Sequence, residues 1–162
     1  MNKNKQLIIR FYTAFQQLDF ETMNSCYHEE AQFQDPVFNL DSKKEIAGMW
    51  KMLCTNAKNF DLTFSEVTAE KYDGSACWEA SYEFSRTRRK VANKIEAKFY
   101  FMDGKIIEHA DSFSFWRWSR MALGFPGYLL GWSPFLKKKI QGQAKKNLYA
   151  FISENSQKVF VK

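Results

Sequence analysis

Near Phe60 the spacing of apolar residues changes from one in every three or four positions to one in every two. Helices that precede a run of consecutive strands specify an α+β domain rather than the alternating βαβ order of a parallel sheet. Before the change, Leu7, Ile8, Phe11, Tyr12, Phe15 and Leu18 predict an amphipathic helix over about residues 4–18. Asp19 reads as the N-cap of a short second helix that carries Met23 and Tyr27. An extended piece, Ala31–Asp35, is stopped by Pro36. Ser42 and Glu45 then have capping-box spacing and open a third helix with the stripe Ile46, Met49, Trp50 and Leu53.

After the change, Leu62, Phe64 and Val67 mark one strand and Trp78, Ala80, Tyr82 and Phe84 the next. Ile95, Ala97, Phe99 and Phe101 mark a third, and Asp103-Gly104 is a hairpin turn signal. The fourth strand reads from Lys105 to about Trp118. The chain of 162 residues is sized for one core, and its 45% hydrophobic content excludes disorder. Aromatic residues make up 17%, which suits a large core or one with a lined cavity.

Several function classes lack their signatures. The polar start Met1–Gln6 is no secretory signal, and no apolar run has the ~20 residues of a membrane span. Cys26, Cys54 and Cys77 are odd in number, lack metal-ligand spacing and sit among apolar residues, so buried free thiols in a reducing cytoplasm are expected. No phosphate-binding loop or nucleophile triad is present, and two histidines give no metal site, so no cofactor and no metal are expected. The net charge of +6 gathers at Arg86–Lys90 and at Lys137–Lys139 with Lys145 and Lys146. A hairpin connection and the wet face of a helix account for both clusters, and no nucleic-acid partner is expected.

Past Trp118 an apolar stretch broken by Gly124, Pro126, Gly127 and Gly131 leads to Ser133-Pro134, a helix start. That last helix carries Ile140, Ala144, Leu148, Phe151 and Ile152 on one side and lysines on the other. Residues 119–162 are expected to pack on the domain formed by residues 1–118 and to help close its apolar mouth. Packing across a dimer and resting on a membrane surface are the alternatives.

A helical hairpin, the short strand ending in Phe33-Gln34-Asp35-Pro36-Val37, a third helix and a meander follow one another here. Together they resemble the nuclear transport factor 2-like superfamily. Gly104-Lys105-Ile106-Ile107-Glu108-His109-Ala110-Asp111 is similar to a last-strand motif of its SnoaL-like polyketide cyclase and ketosteroid isomerase-like branch. The resemblance runs from residue 4 to about residue 118. It implies a cone-shaped, curved antiparallel sheet wrapped around the N-terminal helices, a pocket open at one end, and a homodimer paired through the sheet. It does not decide function, because members include isomerases, dehydratases, epoxide hydrolases, cyclases and non-catalytic binding domains.

Asp35, among Phe33, Val37 and Phe38, is a candidate general base, since apolar surroundings raise a carboxyl pKa; it also fits a plain turn cap. By the resemblance, it takes the position where ketosteroid isomerase, a member of the superfamily, keeps its base. Ile107, His109, Asp111 and Phe113 share a strand face, which makes His109 and Asp111 a candidate acid or orienting pair, or a self-satisfied core pair. Asp35 and His109 are expected to project into one cavity. Tyr12, Trp50, Trp78, Tyr82, Phe99, Phe101 and Phe113 are the candidate ligand wall. The isomerase's two oxyanion donors fall on Phe11 and Ala97, which cannot donate, so the resemblance does not extend to that mechanism. The expectation is a protein that binds a small apolar organic molecule in an aromatic-lined pocket; whether it is an enzyme is left open, and if it is, the chemistry is acid–base cyclisation, isomerisation, dehydration or hydration. A non-catalytic ligand-binding or dimerisation module and a membrane-surface protein are the rival readings.

Overall fold

Side-chain caps start the first three helices. Asn2, Asp19 and Ser42 accept from the backbone N–H groups of Asn4, Thr22 and Glu45, covering donors that a first helical turn leaves unpaired. The computed structural model describes residues 2–159. Helices α1 (Lys3–Gln16) and α2 (Phe20–Ser25) lead to strands β1 (Tyr27–Gln34) and β2 (Asn39–Leu40), then α3 (Lys43–Asn56). The meander is β3 (Asp61–Ala69), β4 (Asp73–Phe84), β5 (Arg89–Met102) and β6 (Lys105–Ser112). Three helices follow: α4 (Phe115–Leu123), α5 (Phe125–Leu130) and α6 (Pro134–Val159). Asp103 and Gly104 both have positive φ, 51° and 71°, as a tight β5–β6 turn requires.

The sheet has the order β2-β1-β6-β5-β4-β3 and is curved and unclosed. Its inner face is set by β5, where Val91, Asn93, Ile95, Ala97, Phe99 and Phe101 are buried in strict alternation. Ile8, Phe11, Tyr12 and Phe15 of α1 and Ile46, Met49 and Trp50 of α3 fill the concave side. Burying a large apolar side chain is worth about 1.5–3 kcal/mol, so this face dominates folding.

Four sequence expectations are corrected. The sheet is not wholly antiparallel, because β1 and β6 run parallel; no hairpin joins them, so no turn dictates their direction. The second helix stops at Ser25, and Tyr27 instead starts β1, paired with Ile106. Strand β6 ends at Ser112 because the Ser114 hydroxyl accepts from Arg117 N–H and opens α4. Cys26 and Cys54 are buried free thiols, but Cys77 is only half-buried, beside Glu66.

Helix α6 lies on α3. Leu148 is fully buried, and a Cβ on Gly48 would come within 2.6 Å of Ile152, so Gly48 allows the close approach. Gln141 donates to the Pro36 carbonyl (2.9 Å) and the Tyr149 hydroxyl to Glu45 (3.1 Å). Helix α5 meets α4 through Gly127, where a Cβ would fall 1.9 Å from the Ser119 carbonyl oxygen. That neighbour is backbone and cannot yield. Gly127→Ala is therefore expected to cost about 1–3 kcal/mol in urea denaturation. Gly142→Ala, in an open helical position, should gain about 0.5–1 kcal/mol in the same assay. Because α5 packs its glycine side, its large side chains face away: Phe125 is about three-quarters exposed, as are Trp132 in the turn that follows and Phe135 at the start of α6. The apolar segment expected to be covered is thus covered along the end of α4 and along the inner side of α6, but not from Phe125 to Phe135.

Candidate functional site

A cavity of about 720 Å³ opens between α3, the concave sheet and α6. Trp50, Trp78, Tyr82 and Phe113, four of the seven candidate ligand-wall residues, line it. Tyr12, Phe99 and Phe101 do not. They lie in the core beneath α1, where the rings of Tyr12 and Phe99 meet edge-on with centroids 6.3 Å apart. The strand carries positions 99 and 101 past the cavity floor and under the first helix. Helix α6 completes the wall with Ile140, Gln143, Ala144, Asn147 and Phe151. A shallower depression beside α1 and α2 shares no residue with this cavity.

Behind the aromatic wall runs a buried polar array. The Trp50 indole N–H donates to the Tyr27 hydroxyl (3.1 Å), which lies 2.6 Å from His109 Nδ1. His109 Nε2 lies 2.9 Å from Asp111 Oδ1, and the Trp78 indole N–H reaches that same oxygen at 3.4 Å. Only one assignment of protons satisfies every member. Tyr27 donates to Nδ1, and a neutral imidazole donates from Nε2 to the Asp111 carboxylate. Burial pushes the Tyr27 phenol well above its usual pKa, so it keeps the proton it donates.

His109 sits inside an aromatic cage. The Phe99 ring centroid is 4.4 Å away, Phe33 stands edge-on at 5.0 Å, and Trp50 stacks at 6.2 Å. Its side chain has no exposed surface and does not line the cavity. The expectation that Asp35 and His109 project into one cavity is corrected: Asp35 shares the cavity with Asp111, and His109 holds Asp111 from behind.

Asp35 is fixed by the turn that Pro36 begins. Its Oδ1 accepts from the backbone N–H groups of Val37 (2.7 Å) and Phe38 (2.6 Å), and its own N–H donates to the Phe38 carbonyl. The turn-cap reading therefore describes one carboxyl oxygen, while no described hydrogen bond occupies Oδ2. Burial raises its pKa to about 6; the two backbone donors oppose the rise, and the Asp111 charge adds to it. The Tyr82 hydroxyl accepts from the Trp118 indole (2.9 Å), so its own proton has no described acceptor.

Sequence reasoning missed Tyr27 and Asn93. Tyr27 was hidden by its assignment to a helix. Asn93 lines the cavity between Val91 and Ile95 on the inner face of β5. A polar residue in an otherwise apolar alternation is the signal that marks it. Among the described residues, no group of three His, Cys, Asp or Glu side chains is placed to hold a metal ion.

The SnoaL-like domain family model matches residues 8–109. The chain belongs to the SnoaL-like family. Its fold is similar to that of an LEH-like epoxide hydrolase from M. tuberculosis, with TM-score 0.62, 16% identity, and 83% of this chain and 95% of that one covered. It is likewise similar to a candidate polyketide cyclase from Xanthomonas campestris, with TM-score 0.62, 14% identity, and coverage of 74% and 96%. A protein of ketosteroid isomerase-like fold from Catenulispora acidiphila, in complex with trimethylamine, gives TM-score 0.65, 11% identity, and coverage of 79% and 97%. At these identities the likeness shows the fold alone. A search of curated proteins gives no match.

Proposed function

We propose that the chain binds a small, largely apolar organic molecule in the cavity and that Asp35 exchanges a proton with it. The observation that carries this reading is the Asp35 carboxyl group, anchored through one oxygen, open at the other, and raised to a pKa of about 6 in an apolar wall. Such a group is ionised at neutral pH, yet basic enough to take a proton from carbon beside a carbonyl. In that step the C–H bond breaks, the proton passes to Asp35, and the electron pair moves onto the carbonyl oxygen. Tyr82 and Asn93 line the same cavity and are the donors available to that oxygen. They would serve where Phe11 and Ala97 cannot. Asp111 is the second carboxylate at the cavity, with Tyr27 and His109 as positioning residues behind it. The epoxide hydrolase and polyketide cyclase names among the similar folds are consistent with acid–base work on a small organic substrate.

Trp50 and Trp78 line the cavity and report occupancy through their fluorescence. Titration with a panel of aromatic ketones and their matched hydrocarbons should give saturable quenching, with the ketones favoured. Absence of saturable quenching across the panel would remove the ligand-binding reading. Binding without deuterium exchange beside the carbonyl would reduce it to a non-catalytic module, in which Asp35 is a turn cap and nothing more.

A further inference from the structure

The turn from α5 into α6 is the largest feature that the cavity does not use. Phe125, Tyr128, Trp132 and Phe135 are 73%, 55%, 73% and 74% exposed, and Leu129 and Leu130 are close to half exposed. Single exposed apolar residues need no explanation, but six large ones crowded between Phe125 and Phe135 mark an interaction surface. Gly127 packs α5 onto α4, and a Cβ on Gly131 would fall 2.0 Å from Ser119 Oγ, so the glycine side is committed inward.

The charge along this stretch of chain has one sign. From Ser112 to Ser153 the sequence contains seven lysines and arginines and no aspartate or glutamate. The β4–β5 hairpin brings more. Arg89 Nε donates to the Met121 carbonyl (2.9 Å) and the Thr87 hydroxyl to that of Ala122 (2.5 Å), which pins the hairpin tip, and with it Arg89, beside the end of α4. A two-fold pairing through this surface would bring the same cationic patch together on both copies, which electrostatics opposes. An anionic bilayer complements it. Aromatic rings favour the headgroup region, and lysine stems can lie along the surface with their charges at the phosphates.

We propose that this tip docks the protein on the surface of an anionic phospholipid bilayer. It is a peripheral contact, because no described helix is long and apolar enough to cross a membrane. The proposal is independent of what the cavity holds.

Flotation of the full chain with phosphatidylglycerol–phosphatidylcholine vesicles, and with phosphatidylcholine alone, tests it. The wild type should float with the anionic vesicles, and its binding should weaken as salt rises. Replacing Lys137, Lys138 and Lys139 by Gln should lower partitioning about fivefold per residue. The variant Phe125→Ser/Trp132→Ser/Phe135→Ser changes side chains that are already mostly exposed, so it should keep the wild-type melting curve and stay at the bottom of the gradient. If that variant does not fold, the glutamine variant carries the test. The proposal is overturned if the wild type does not float at low salt, or if whichever variant is tested floats as well as the wild type. It is also overturned if sedimentation shows a dimer that the serine variant dissociates while vesicles bind nothing.

Discussion

Asp35→Asn should lose at least about a hundredfold in deuterium exchange beside a bound carbonyl while gaining stability at neutral pH. The two effects have one cause. The folded protein raises the Asp35 pKa from 3.8 to about 6. Below the lower value the group is protonated in both folded and unfolded chains and contributes no difference. Between the two values the folded chain binds more protons, so wild-type stability falls as pH rises through this window. Above about 6 the full cost of a buried carboxylate is present, on the order of 2–3 kcal/mol. Asparagine keeps an oxygen that can accept from Val37 and Phe38 but carries no charge. Urea denaturation should show the variant level with the wild type near pH 3 and ahead of it by that amount at pH 7. Equal stabilities at both pH values would mean that Asp35 is not held in the apolar wall, and the proposed base would go with it.

His109→Ala should be the most damaging single change in the site, costing about 3–5 kcal/mol. It removes the donor that pairs the buried Asp111 carboxylate and leaves only the longer Trp78 contact. It strands the Tyr27 hydroxyl proton and opens a void among Phe33, Trp50 and Phe99. His109→Gln is the companion variant in case the alanine chain does not fold, with an amide able to donate on one side and accept on the other. Its loss should be about 1–2 kcal/mol smaller, by denaturation or thermal melting. A cost below about 1 kcal/mol for the alanine variant would show that the array is not coupled to folding.

The helices and the meander were legible because their periods differ and because Ser42, Asp19 and the Asp103-Gly104 pair supply local signals. The boundaries that were misread fall where local and long-range preferences compete. Tyr27 continues a helical pattern but is taken into β1 by pairing with Ile106, a partner far along the chain. Phe113–Trp118 is apolar enough for strand or helix, and the Ser114 cap decides it. Asp35 was readable because proline and apolar neighbours announce a desolvated turn. The position of His109 behind the cavity rather than in it was not readable. Alternation fixes the face a side chain leaves from, but not the depth of what packs over it, and here Trp50, Phe33 and Phe99 do the covering.

The family match ends at His109, yet Ile140, Ala144 and Phe151 of α6 form part of the cavity wall. The cup and its shutter therefore come from different stretches of the chain. The sheet and first three helices can tolerate little change without loss of the core. The shutter meets them mainly along α3, and its inward residues can be exchanged without disturbing a single strand pairing. The lining of the cavity is free to change by rewriting α6 while Asp35, Asp111 and the array behind them stay where they are. A substrate known for one SnoaL-like protein would then transfer to this chain only as far as the two shutters agree.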